Sequence, residues 1–123
     1  MVPSIDVHSH ALPKSYLDAL GELGIDPVAE DGFPTPEWSE EGHLAFMEQT
    51  GQRFSVLSIS TPHINRGGDV AATRLSRRVN DELAAVCGRH PDRLGFSALL
   101  PVPAVAASIE EAARCLDELG ALG

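Results

Sequence analysis

The residues with the clearest capacity for chemistry lie within the first ten: Asp6-Val7-His8-Ser9-His10. From Ser4 to His8 apolar and polar side chains alternate strictly, the pattern of a strand. Residues two apart on a strand share a face, with Cα atoms roughly 6.6 Å apart. Two imidazoles at that spacing converge on one ion at the ~2.0–2.1 Å length of a metal–nitrogen bond. His8 and His10 are therefore the candidate metal ligands. Asp6 is expected on the same face, one layer deeper, as an acceptor that orients a ligand or joins it. A bare His-x-His pair recurs by chance, so its weight depends on the elements that would position it.

Those elements are legible. The strand, Ser4 to His10, precedes Ala11-Leu12-Pro13, and Lys14 to Leu23 predicts a short helix stopped by Gly24. A Pro/Gly-rich loop over Gly32 to Pro36 leads to Trp38. Ser39 is the expected N-cap of a second helix, with Glu40 and Glu41 in its first turn, an apolar stripe of Leu44, Phe46 and Met47, and Gly51 as its left-handed stop. Phe54 to Ser60 reads as a second strand, broken by Thr61-Pro62. A third helix, Asp69 to Cys87, carries Ala72, Leu75, Val79, Leu83 and Val86 on one face, with Gly88 as its stop. The turn His90-Pro91-Asp92 delivers a third strand, Leu94 to Leu100. A last helix presents Val105, Ile109, Ala112, Leu116 and Leu119. Strands alternating with amphipathic helices imply right-handed crossovers, a parallel sheet and the α/β class. Three strands are too few for a closed barrel of eight, which needs ~250 residues.

The composition is that of an ordinary globular protein. Of 123 residues, 43% are hydrophobic and 22% charged, with a formal net charge of −9. With no Lys/Arg cluster, neither nucleic acid nor an anionic membrane surface is an expected partner. Cys87 and Cys115 lack paired spacing and read as reduced structural thiols. No charged-then-apolar leader and no apolar run near ~18 residues occurs, so the expected location is the cytoplasm.

Taken together, Ile5 to Pro13, Trp38, Leu44 to Gly51, Val56 to Pro62, Val79 to Ala84 and His90 to Phe96 resemble the amidohydrolase-superfamily family typified by amino-carboxymuconate-semialdehyde decarboxylase. The resemblance covers essentially the whole chain, residues 1–123 as one partial domain. It implies the N-terminal β/α units of a TIM (β/α)8 barrel, incomplete in this chain. It also implies one catalytic divalent ion, zinc first and manganese second, held in part by His8 and His10. Further ligands, a His on a middle strand and an Asp near the last, would lie beyond Gly123. The type member's substrate-binding Arg before the Trp has no counterpart in Gly32 to Glu37, which argues against that particular substrate.

The implied function is a metal-dependent carboxy-lyase for a small carboxylic or aromatic acid. The alternatives are a metal-dependent hydrolase of the same superfamily, or a catalytically inert truncated fragment. No catalytic residue is identifiable in this stretch. The expected substrate contacts are His63, in the loop after the second strand, and Trp38, either at the pocket mouth or as a loop anchor. A small-molecule acid is the expected partner, with homo-oligomer formation left open. Ser58 and Ser60 read as barrel lining, His43 as an exposed helical residue and His90 as turn chemistry. Asn80, a poor helix former, is expected to tie a neighbouring loop through its side chain.

Overall fold

The alternating opening segment forms β1 (Ser4–His10) in the computed structural model, which describes residues 2–123. After Pro13 comes α1 (Lys14–Glu22), then α2 (Pro27–Asp31), α3 (Glu40–Thr50), β2 (Gln52–Ser58), a 3-10 turn at Asn65–Gly67, α4 (Asp69–Arg89), β3 (Leu94–Phe96) and α5 (Val105–Asp117). The strands make one parallel sheet in the order β1-β2-β3.

Most elements arise for the reasons read in the sequence. Ser39 Oγ accepts the Gly42 N–H at the start of α3, and Gly51 closes that helix at φ 71°. The predicted stripe of α4, Ala72 through Val86, is buried against the sheet and α1. Asn80 behaves as expected. Its side chain accepts the Leu99 N–H at 2.8 Å and donates to the Leu99 carbonyl at 2.9 Å, pinning the loop after β3.

Several boundaries differ. α2 lies between the first expected helix and the Pro/Gly-rich loop, in a segment given no element; Asp26 accepts the Val28 N–H and Pro27 opens the helix, a cap-and-proline start that the sequence did carry. α4 runs through Gly88 to Arg89, because Arg89 and His90 both pair with Glu40 in the first turn of α3, at 2.6 Å each. β2 ends at Ser58, where the chain turns toward a cis Thr61-Pro62 bond. β3 spans only Leu94–Phe96, although ladder-like bonds continue: Ser97 donates to the Leu57 carbonyl, Leu122 to that of Phe96, and Ala98 to that of Gly123. The chain's last residues thus already run beside β3.

The apolar stripe expected on α5 does not face the core. Ser108, Glu111 and Cys115 are buried, while Val105, Ile109 and Leu116 are exposed. The cause is polar. The Glu111 carboxylate accepts from Asn80 Nδ2 at 2.8 Å and from Arg114 at 2.7 Å, which turns that edge of the helix onto α4. Phe46 on α3 is likewise exposed, and Met47 alone on that helix is fully buried.

The helices cover only one side of the sheet. Ser55, Leu57, Leu94 and Phe96 are buried beneath them, with Tyr16, Met47, Leu75, Val79 and Leu83 in the same core. On the other side Ile5 and Val7 stand 64% and 75% exposed. Parallel sheets are normally buried on both faces, and the exposed side carries the histidines of β1.

Candidate metal centre

β1 is not regular. Asp6 pairs with Ser55 and Ser9 with Leu57, so three steps along β1 match two along β2. This bulge breaks the period-two alternation that placed Asp6 with the histidines. Asp6 lies instead on the side of Ser55, toward the helices. Its Oδ1 accepts the His8 backbone N–H at 3.0 Å and its Oδ2 accepts the Ser9 hydroxyl at 2.8 Å. Those two bonds, the backbone one first, hold the Asp6 carboxyl below the usual carboxylate range.

His8 and His10 stand out on the open side, and their rings meet edge to face at 5.0 Å between centroids. The two Nε2 atoms are 3.1 Å apart. Bonds of about 2.0–2.1 Å from each nitrogen to one ion would close on this separation at about 95–100°, between the octahedral and tetrahedral angles. The pair therefore fits two adjacent corners of a divalent coordination sphere. Among the described residues, no group of three or more His, Cys, Asp or Glu side chains is placed to hold a metal. The pair alone would make half of such a site.

Beside the pair, His10, Leu12, Phe33, Pro36, Ser60 and Thr61 line a cleft of about 270 Å³ at the C-terminal ends of β1 and β2. That is the end at which parallel α/β folds bind ligands. The cleft is mainly apolar, with hydroxyls at Thr35, Ser60 and Thr61 and the Asp31 carboxylate, which accepts from Thr61 Oγ1 at 3.0 Å. Phe33 is the residue that sequence reasoning missed here; its only signal was an aromatic side chain inside a Pro/Gly loop. Ser60 lines the cleft, while Ser58 donates to the Ser9 carbonyl at 3.4 Å.

His63 and Trp38 do not line this cleft. His63 Nε2 is 3.3 Å from the Leu100 carbonyl, and its buried Nδ1 has no protein partner. Trp38 lines a neighbouring groove with Leu17, Glu37 and His43, and its indole N–H points to His43 Nδ1 at 3.4 Å. His43 is not the exposed helical residue expected. It is half-buried, its Nε2 lies 3.0 Å from Ser55 Oγ, and Ser55 donates to Ser9 Oγ at 2.8 Å. Burial holds the His43 imidazole below its ordinary value, partly opposed by the Asp6 charge. Two serines among alternating strand residues gave no sign that they would meet on the helix side.

The chain is similar to known proteins over nearly its whole length. A family model described as amidohydrolase matches residues 5–123. Decarboxylase yanB of Aspergillus niger is 35% identical over 97% of the chain, and gamma-resorcylate decarboxylase of Rhizobium radiobacter is 30% identical over 92%. The chain spans about a third of the length of these relatives, 33% and 35%. Among solved structures, an amidohydrolase II is 40% identical with a TM-score of 0.88, over 98% of this chain and 39% of its own. The 5-carboxyvanillate decarboxylase of Novosphingobium aromaticivorans, solved with manganese and 4-hydroxy-3-methoxy-5-nitrobenzoic acid, superposes with a TM-score of 0.79 at 24% identity, over 97% of this chain and 40% of its own.

Proposed function

The chain belongs to the amidohydrolase family, and we propose that it supplies the first-strand half of the metal centre of a carboxy-lyase acting on a small aromatic acid. The observation that carries the reading is the 3.1 Å approach of His8 and His10 Nε2 beside an apolar cleft. The two imidazoles would hold a divalent cation, which when bound supplies positive charge to fix and polarise substrate oxygens. Zinc is the ion first implied by the resemblance; manganese is the ion in the solved 5-carboxyvanillate decarboxylase.

The remaining roles belong to this chain's own side chains. Leu12, Phe33 and Pro36 would grip an aromatic ring and exclude water from it, with Ser60 offering a hydroxyl to its polar substituents, while the Thr61 hydroxyl is held by Asp31. Loss of carbon dioxide requires a proton delivered to the ring carbon as the carbon–carbon bond breaks. We assign no proton donor within these residues. Two protein ligands are one short of the three that catalytic sites commonly hold, so the 123-residue chain alone is expected to bind a cation without turnover. Two free, buried cysteines accord with action in the cytoplasm.

The test is a chimera in which this chain replaces the matching third of the 6-methylsalicylic acid decarboxylase acuB of Aspergillus aculeatus, to which it is 33% identical. Carbon dioxide release from 6-methylsalicylate, abolished by His8→Ala or His10→Ala, supports the reading. A folded, metal-loaded chimera that hydrolyses amides or esters but releases no carbon dioxide refutes it.

A further inference from the structure

The geometry points to a positioning role for His43, Ser55 and Ser9, acting together from the helix side of the sheet to keep the two imidazoles of β1 converged. This rests on reading His8 and His10 as a cation site. Four groups form a continuous file: His43 Nε2 to Ser55 Oγ at 3.0 Å, Ser55 Oγ to Ser9 Oγ at 2.8 Å, and Ser9 Oγ to Asp6 Oδ2 at 2.8 Å. Ser55 is fully buried and Ser9 nearly so, at 0% and 8% exposure, so water does not substitute for these partners.

The direction of every proton in the file is fixed. An ionised Asp6 only accepts, so Ser9 spends its hydroxyl proton there. Ser9 must then accept from Ser55, and Ser55 from His43. His43 is therefore neutral with its proton on Nε2, leaving Nδ1 bare, which is what the Trp38 indole N–H facing it requires. The tautomer demanded from the Asp6 end is the one demanded from the Trp38 end.

The file terminates at the bulge. The other Asp6 oxygen holds the His8 backbone N–H, closing a short side-chain-to-backbone turn over the irregular step of β1. That step sets which way His8 points relative to His10. Release of Ser9 frees the Asp6 carboxylate to rotate toward water, and the His8 N–H loses its fixed acceptor. The bulge then has no side-chain bond selecting the conformer in which both Nε2 atoms meet. His43 and the serines touch neither cation nor substrate; they act through Asp6.

The experiment uses the 123-residue chain with Zn²⁺ alone, titrated by calorimetry, and the ring-to-ring proton NOE between His8 and His10 without metal. His43→Leu and Ser55→Ala are expected to weaken zinc binding about tenfold and to lose the NOE, whereas His43→Gln, which keeps a donor toward Ser55, stays within about threefold. Ser9→Ala, a minimal truncation, reads the same link should His43→Leu not fold. If the NOE and zinc affinity persist in Ser55→Ala and Ser9→Ala, the positioning role is overturned, whatever happens to their melting temperatures. If the unmodified chain takes no zinc, the cation reading fails on its own. The NOE in unmodified and Ser55→Ala chains then decides whether the file aligns the rings.

Discussion

Asn80→Ala should be the most informative change to the scaffold. Asn80 is fully buried in the middle of α4 and makes three bonds: it accepts the Leu99 N–H at 2.8 Å, donates to the Leu99 carbonyl at 2.9 Å and donates to Glu111 Oε1 at 2.8 Å. Alanine strands the two Leu99 groups, each costing about 1–3 kcal/mol when left buried without a partner. Glu111 loses less, because Arg114 Nη2 remains 2.7 Å from the same oxygen. Allowing for water entering the vacated space, the expected loss is about 3 kcal/mol, a large share of the ~5–15 kcal/mol typical of a domain. Asn80→Asp separates the contributions. It keeps the acceptor for Leu99 N–H but brings a second carboxylate against Glu111, so the new acid's pKa is raised in the fold. Its deficit should therefore be smaller at pH 4 than at pH 7 and grow as pH rises between them. Urea unfolding followed by circular dichroism at both pH values reads these differences. A loss under about 1 kcal/mol for Asn80→Ala, or a pH-independent deficit for Asn80→Asp, would refute the claim that this side chain clamps the loop after β3.

Three other outcomes follow from the same packing. Tyr16 is fully buried, donates to the Pro62 carbonyl at 2.6 Å, and has its phenol pushed up to about 12 by burial; its contribution is intact below pH 10 and lost as pH rises from 10 to about 12, so stability should fall there by about 2–3 kcal/mol, and Tyr16→Phe should flatten that fall in urea titrations. Cys87 and Cys115 are buried, their thiols raised to about 11 and about 12 chiefly by burial, so a thiol reagent at pH 8 should label neither until urea unfolds the chain. Glu40→Gln removes the negative charge that Arg89 and His90 share and one of its two acceptor oxygens; both pairs are partly exposed, so the cost should stay within about 1 kcal/mol, seen as faster amide exchange in the last turn of α4.

Much of this was written locally. The cap at Ser39, the stripe of α4 and the stop at Gly51 are short-range signals, and each element formed where its residues put it. The loop-tying role of Asn80 was legible because a mid-helix Asn needs a reason to be there. Long-range polar contacts were not legible. Glu111 has an ordinary helical position in the sequence, yet its bond to Asn80 rotates α5 and leaves Val105, Ile109 and Leu116 outside. Asp6 left its expected face because a bulge in β1 depends on register with β2, which no window of β1 reports. His43 was misjudged for the same reason: its charged neighbours along α3 say nothing of the serines beneath it. His8 and His10 were legible as a pair, and their separation of 3.1 Å is what coordinates added.

The central claim is that those two nitrogens hold one divalent cation. X-ray absorption at the zinc edge, on the chain loaded with one equivalent, measures it directly. Two imidazole nitrogens per zinc are expected at about 2.0–2.1 Å, with water oxygens completing the shell and one imidazole remaining in His10→Ala. Zinc retained with an unchanged imidazole count in the His8→Ala, His10→Ala double variant, or zinc bound through sulfur, would contradict it.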